Sequence, residues 1–416
     1  MPNNGWLICV ERSQFHMQSS QVPEFAHSRG LVQDGGGEGW ETQMIIDLPV
    51  ISADSHITEH PDTYRAHIDP KWRDRAPRVE RDPERGDVFV IDGMPRPIAM
   101  GLVAAAGKDP EELSMTGAKF EELHRSGWDS KARIADQEKD GVAAEVIYPT
   151  VGMLLCNHRD ADYKKACFDA YNRWITEYCS EDPARLLGCG QTALRSPEEG
   201  IEDLKTIKAL GLRGVMMPGD PVMEDYDSDI YNPLWEAAID LDIPLSFHIL
   251  TMRNAETRGP RINTFLSIIR GNQDIMGTLI FGGVFERYPE LKVVCVEADA
   301  GWVPHYLYRM DHAYKRHRNW LAPGVELSKL PSEYFSENIY TTFQDDWVAF
   351  QSVNQMNWKR LMWANDFPHS DSTWPWSQDV LAEHTKHLTK DQTESILCHN
   401  VADLYNIDLT KLKAAA

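Results

Sequence analysis

The chain is short of basic residues, with 42 Lys and Arg against 64 Asp and Glu, for a formal net charge of −22 over 416 residues. Nucleic acid and anionic membranes are therefore not expected partners, because phosphate binding needs a basic face that releases counterions. No stretch reaches the roughly 18 uninterrupted apolar residues of a membrane span, and no basic start leads into an apolar segment as in a secretory leader. The seven cysteines, Cys9, Cys156, Cys167, Cys179, Cys189, Cys295 and Cys398, are scattered, with no Cys-x-x-Cys pair. That pattern points to reduced thiols in a cytoplasmic protein. No Gly-x-Gly-x-x-Gly turn follows the first strand candidate, which argues against an open dinucleotide-binding sheet.

What is present is ample core material, 42% hydrophobic residues. A single domain of this size buries roughly three quarters of its unfolded-chain surface, so it needs no staples. Residues 1–43 are rich in Gln, Ser and Gly and show neither strand alternation nor a helical stripe. They read as a disordered N-terminal extension, with one domain over residues 44–416, and a chain starting at Met44 is expected to keep its fold. Between about Pro61 and Ala135 the pattern is irregular, with a hairpin over Asp87–Met94 that turns at Asp92-Gly93. This stretch reads as an insertion.

Beyond it, apolar strand candidates alternate with amphipathic helices. The candidates cover residues 143–149, 186–192, 214–218, 244–248, 291–297, 338–342 and 360–366, each with a helical stretch behind it. With Val50-Ile51-Ser52-Ala53 in front of the insertion, the count is eight. Eight parallel strands joined by helical crossovers predict a TIM-type (β/α)8 barrel with an insertion after the first strand, its functional groups at the C-terminal strand ends.

Those ends share a chemistry. The first strand ends in Asp54-Ser55-His56, whose spacing of two puts the carboxylate and the imidazole on one face. The fifth ends in His248, the sixth in Glu297, and the eighth in Asp366, followed by Phe367-Pro368-His369. Singly, each has a plain explanation, as a helix cap or a satisfied core histidine. Their shared topological position favours a metal site, with zinc or manganese suited to oxygen and nitrogen donors. Glu59, Trp302 and His369 are the expected lining of a substrate pocket, and Trp363, Trp374 and Trp376 stand near the same strand ends.

Three segments, Ala53-Asp54-Ser55-His56-Ile57-Thr58-Glu59, Gly283 to Val293 (GVFERYPELKV) and Asn365-Asp366-Phe367-Pro368-His369, resemble the amidohydrolase-related metal-dependent barrels. The nearest branch in that resemblance is the aminocarboxymuconate-semialdehyde decarboxylase-like one, over roughly residues 51–407. Carried over by position, the resemblance implies a divalent ion, zinc or manganese, on Asp54, His56, His248 and Asp366, with Asp366, Glu297 and His248 as catalytic residues. Asp54 stands where a histidine is frequent, and Glu297 where decarboxylases commonly carry a catalytic histidine.

Two reactions fit such a site. One is non-oxidative decarboxylation of a small aromatic or unsaturated carboxylic acid; the other is hydrolysis of an ester, lactone or amide. A binding barrel without catalysis is the third reading, but it predicts missing ligands, whereas here every acid and histidine position is filled. Insertions like that at 61–135 cover the pocket or pair subunits in barrels resembling this one, so a homo-oligomer acting on a small molecule is expected.

Overall fold

All eight apolar runs become strands, and all eight join one parallel sheet. The computed structural model describes residues 45–252 and 258–412. The extension expected over residues 1–43 lies outside the described residues. The barrel strands are β1 (Ile51–His56), β5 (Ala144–Tyr148), β6 (Leu186–Gln191), β7 (Gly214–Met216), β8 (Leu245–His248), β9 (Val293–Val296), β10 (Ile339–Phe343) and β11 (Leu361–Trp363). Between β1 and β5 run β2 (Arg78–Asp82), β3 (Gly86–Val90) and β4 (Ile98–Ala99). The barrel order is sequential, β1-β5-β6-β7-β8-β9-β10-β11. Every barrel strand is buried along its length, which explains the near-continuous apolar runs of the sequence.

Closure uses loop backbone instead of a regular ladder. The Asp366 N–H donates to Asp54 O at 3.1 Å and the His56 N–H to Phe367 O at 2.7 Å. The β1 register shifts between Ser52 and Ser55. At that bulge the Ser52 hydroxyl accepts the Asn365 N–H at 2.9 Å. The seam is thus stitched by the segments that carry Asp54, His56 and Asp366.

In the inserted region, β3 pairs antiparallel with β2 on one side and β4 on the other. The connection from β3 to β4 passes through the Asp92-Gly93 turn, where Gly93 takes φ +87° and Met94 N–H bonds Ile91 O at 3.0 Å. The β2 partner was not legible, because its pattern Arg78-Val79-Glu80-Arg81-Asp82 is almost wholly charged. The expected boundary at Ala135 falls inside the helix Ser130–Asp140. Asp129 caps that helix by accepting from the Lys131 and Ala132 N–H groups, and Gly141 ends it at φ +66°.

That helix buries Arg133, Gln137 and Asp140 at a spacing of four and three, a polar stripe against the seam. Arg133 is fully buried. It donates to Glu145 Oε2 at 2.5 Å, His56 O at 2.6 Å and Phe367 O at 3.1 Å. One guanidinium therefore binds both sides of the seam and is neutralised by a carboxylate on β5.

The described cysteines are all free, buried thiols. Among the described residues, no helix is long and apolar enough to cross a membrane.

Candidate metal centre and active site

Asp54, His56 and His248 are completely buried, Asp366 nearly so, and the Glu297 side chain is 14% exposed. Strand geometry aims them at one point. His56 Nδ1 pairs with Pro149 O at 3.1 Å and His248 Nδ1 with Ile249 O at 3.1 Å. A carbonyl only accepts, so each Nδ1 carries the hydrogen and each Nε2 presents a lone pair. Those two lone-pair nitrogens lie 3.3 Å apart.

Around them stand carboxylate oxygens. Asp54 Oδ1, Glu297 Oε2 and Asp366 Oδ1 are 3.5, 3.4 and 3.5 Å from His56 Nε2. His248 Nε2 is 3.7 Å from Asp54 Oδ1 and 3.2 Å from Glu297 Oε2. Asp54 Oδ1, Glu297 Oε2 and both Asp366 oxygens are buried with no well-aligned hydrogen-bond donor among the described residues. Buried polar atoms are normally satisfied, so an orphaned set of this size calls for a cation. Donors held about 2.1 Å from one tetrahedral ion stand about 3.4 Å from each other, the spacing found here. The residues fit a divalent ion.

Two overlapping groups have ligand atoms that all lie within 4.8 Å of one another: Asp54, His56, His248 and Glu297, and His56, Glu297, Asp366 and His369. Of the expected ligands, Asp54, His56 and His248 fall in the first group and His56 and Asp366 in the second, and Glu297 belongs to both.

Electrostatics agree. Burial, followed by the charge of Asp366, holds the Glu297 carboxyl well above the usual carboxylate range. Burial and then Asp54 do the same to Asp366. His56 is driven well below its ordinary value, chiefly by burial and then by the His369 and His248 rings. Burial also lowers His248, but Asp54 and Glu297 outweigh it and the net direction is up. Without a cation Glu297 and Asp366 are biased toward their protonated forms, which a bound ion opposes.

Backbone strain marks the same place. Glu297, Asp299 and Asp366 take φ of 53°, 55° and 54°. A left-handed conformation costs a non-glycine residue on the order of 1 kcal/mol, and such residues collect at functional sites.

The pocket expectations divide. His369 lies in the centre, its ring stacked on His56 at 4.0 Å. Glu59 does not face it. Its carboxylate accepts the Val151 and Gly152 N–H groups at 3.0 and 3.1 Å, so it caps the short helix Val151–Leu155, whose first N–H groups have no helical partner. Trp302 bonds Ala298 O at 2.7 Å through Nε1 and packs on Tyr306 and Phe335, within the helix layer. Trp363 is fully buried, and Trp374 bonds Asp136 O at 3.1 Å beside Phe367.

The sequence reading missed Arg133, Glu145, Pro149, Thr150 and Asn365, which hold the ligand-bearing segments. For Arg133 a signal existed in the helical spacing of Arg133, Gln137 and Asp140. Pro149 and Thr150 carry none, since what they contribute is position.

A parallel barrel whose first, fifth, sixth and eighth strands end in converging carboxylates and imidazoles defines a barrel protein with a cation-binding centre on its carboxyl face. Residues 103–407 match the Amidohydrolase family, and the chain belongs to that family. Asp54 and His56 precede the matched span, whereas His248, Glu297 and Asp366 lie within it. The 2-amino-3-carboxymuconate-6-semialdehyde decarboxylase of Dictyostelium discoideum is 24% identical over 314 residues, 72% of this chain and 83% of that protein. Among solved structures, an amidohydrolase from Mycobacterium avium subsp. paratuberculosis superposes with a TM-score of 0.71 at 20% identity, covering 86% of this chain and 100% of the other. A 5-carboxyvanillate decarboxylase from Novosphingobium aromaticivorans, complexed with manganese and 4-hydroxy-3-methoxy-5-nitrobenzoic acid, gives 0.62 at 18% identity, covering 89% and 98%.

Proposed function

We propose that this protein is a metal-dependent, non-oxidative decarboxylase of a small aromatic or unsaturated carboxylic acid. The observation that carries the reading is the set of orphaned buried oxygens on Asp54, Glu297 and Asp366 around the Nε2 atoms of His56 and His248. The names of the similar decarboxylases support the choice of reaction.

Asp54, His56, His248 and Asp366 would hold the ion, manganese or zinc, with Glu297 adjoining. When bound, the ion supplies positive charge that fixes the substrate's carboxylate or neighbouring hydroxyl. The chain's residues handle the proton. Asp366 lies three residues beyond β11, against β1, and takes up a proton more readily in this desolvated, acidic setting. As the bond from carbon to carboxylate breaks, its electron pair stays on carbon, the proton goes to that carbon, and neutral carbon dioxide leaves. Glu297, raised in the same way, is the second acid within reach. Two further expectations belong to the reading: the arm carrying β2–β4 pairs subunits into a homo-oligomer, and the six buried described thiols suit a reducing cytoplasm.

Purified protein loaded with manganese or zinc is given hydroxybenzoic and unsaturated amino acids of this kind, and separately esters, lactones and amides. Carbon dioxide release from an acid supports the reading. Turnover confined to the esters, lactones or amides overturns it.

A further inference from the structure

His369 and Asp366 stand close together without a hydrogen bond between them. Thr150 Oγ1 lies 2.6 Å from Ile57 O and 2.9 Å from His369 Nε2. Two oxygens at 2.6 Å need a hydrogen between them, and a carbonyl has none to give, so the hydroxyl spends its only hydrogen on Ile57. Toward His369 it can then only accept, which puts the ring hydrogen on Nε2 and leaves a bare lone pair on Nδ1. That nitrogen is 3.1 Å from Asp366 Oδ1. A hydrogen on Nδ1 would not join the two either, because Oδ1 has no well-aligned donor among the described residues and so lies to one side of the Nδ1 axis. Two ligands of one cation stand in this relation: neighbouring donors about 2.1 Å from a six-coordinate ion are about 3.0 Å from each other.

Such a cation is not the one that His56 meets. A metal lies close to the plane of the imidazole that binds it, and the His369 ring is stacked on His56 with centroids 4.0 Å apart and planes tilted by 24°. Planes so arranged do not meet within the roughly 2 Å of a metal–nitrogen bond. The stack instead matches the spacing of about 3.5–4 Å between the ions of two-metal sites. Glu297 and Asp366 supply the other donors, with ligand atoms within 4.8 Å of that of His369. Both Asp366 oxygens are orphaned, one for each ion, and a carboxylate has lone pairs enough for Glu297, which belongs to both groups, to bridge. Glu297 and His369 are also the most accessible members of the centre, 14% and 12% exposed where Asp54, His56 and His248 are sealed.

We propose a second divalent-cation site on Glu297, Asp366 and His369, on the accessible side of the ion held by Asp54, His56 and His248. Its carboxylate-rich donor set suits manganese. With three protein donors it is the weaker of the two and fills second, and it keeps coordination positions open to solvent or an anionic ligand. The site is argued from donor geometry and does not depend on which reaction the centre performs.

The test dialyses full-length protein, already carrying its first ion, against rising manganese(II), counts ions by elemental analysis and records electron paramagnetic resonance spectra. Wild type should pass from about one to about two ions per chain, and the two manganese ions should give the spectrum of an exchange-coupled pair. His369→Phe keeps a ring on His56 but offers no donor, so it should stop at about one ion with a single-ion spectrum. Wild type that saturates at one ion overturns the proposal, whether or not His369→Phe folds, and means that a proton on Asp366 settles its contact with His369. A second ion that His369→Phe retains, or that is not coupled to the first, also overturns it by placing that ion elsewhere on the acidic surface. Absence of carbon dioxide release from every acid would remove the decarboxylase reading and leave this site standing.

Discussion

Replacing Arg133 with Met tests whether the seam of the barrel is held by one buried guanidinium. The change removes hydrogen bonds to Glu145 Oε2, His56 O and Phe367 O, and the stacking of the guanidinium over the Phe367 ring at 4.7 Å. Breaking a buried ion pair by deleting one partner costs about 3–5 kcal/mol, because the remaining charge is left in a poor solvent. Glu145 keeps the Gln137 amide at 2.8 Å and the Asn365 amide at 3.4 Å, which places the loss at the lower end of that range. Two carbonyls losing their donor add about 1 kcal/mol each, for a total near 5 kcal/mol. The double variant Arg133→Met/Glu145→Leu leaves no stranded charge and should recover at least about 2 kcal/mol of the loss, since apolar replacement of both partners is often neutral. Urea unfolding of metal-free protein, followed by far-UV circular dichroism, measures all three, and stripping the ion keeps its binding energy out of the comparison. A single-variant cost under about 1.5 kcal/mol, or a double variant no better than the single, would refute the reasoning.

Wild-type protein should carry about one divalent ion per chain, and His248→Ala should lose it; elemental analysis showing full metal in that variant would remove His248 from the site. Asp366→Asn keeps the shape but removes the base, so turnover should fall on the order of a hundredfold to ten-thousandfold with metal only partly reduced, and near-normal turnover would sink its role as proton carrier. Glu59, fully buried, is raised from 4.5 to about 6, chiefly by burial and against the Val151 and Gly152 N–H groups. Its folded-state value lies above its unfolded one, so the stability it contributes is full below about pH 4.5 and is lost as pH rises through about 6, a difference of about 2 kcal/mol. Glu59→Gln should flatten that part of the curve, and urea midpoints that change in parallel for both proteins between pH 4.5 and 7.5 would contradict it.

The eight strands were legible because parallel strands buried on both faces read as apolar runs, and Asp54 with His56 because alternation puts residues two apart on one side. The topological rule then gathered His248, Glu297 and Asp366. Glu59 was misplaced for a physical reason: a carboxylate near a strand end looks like a site residue until the free N–H groups of the helix Val151–Leu155 are known to claim it. Trp302 lies near the right strand end, but its backbone position does not fix the direction of its ring, which turns into the helix layer. Thr150 became visible only through two interatomic distances. Arg133 was passed over because charged residues in an irregular insertion read as solvated surface, although its helical spacing with Gln137 and Asp140 marked a common face.

The stitched seam also sets a timetable for synthesis. Ser52 and Asn365, bonded across it, are 313 positions apart in the chain. At roughly 5–20 residues per second a ribosome needs about 15 to 60 seconds to travel that distance. Until the end of that interval β1 keeps an unpaired edge, and even after His248 and Glu297 have joined Asp54 and His56 on the chain, Asp366 is still to be made. The long span makes the final pairing a late and entropically costly event. It also brings Asp366 to Asp54 by a direct backbone bond, so the nascent chain completes its candidate cation site in the same step that covers the last open edge of the barrel sheet.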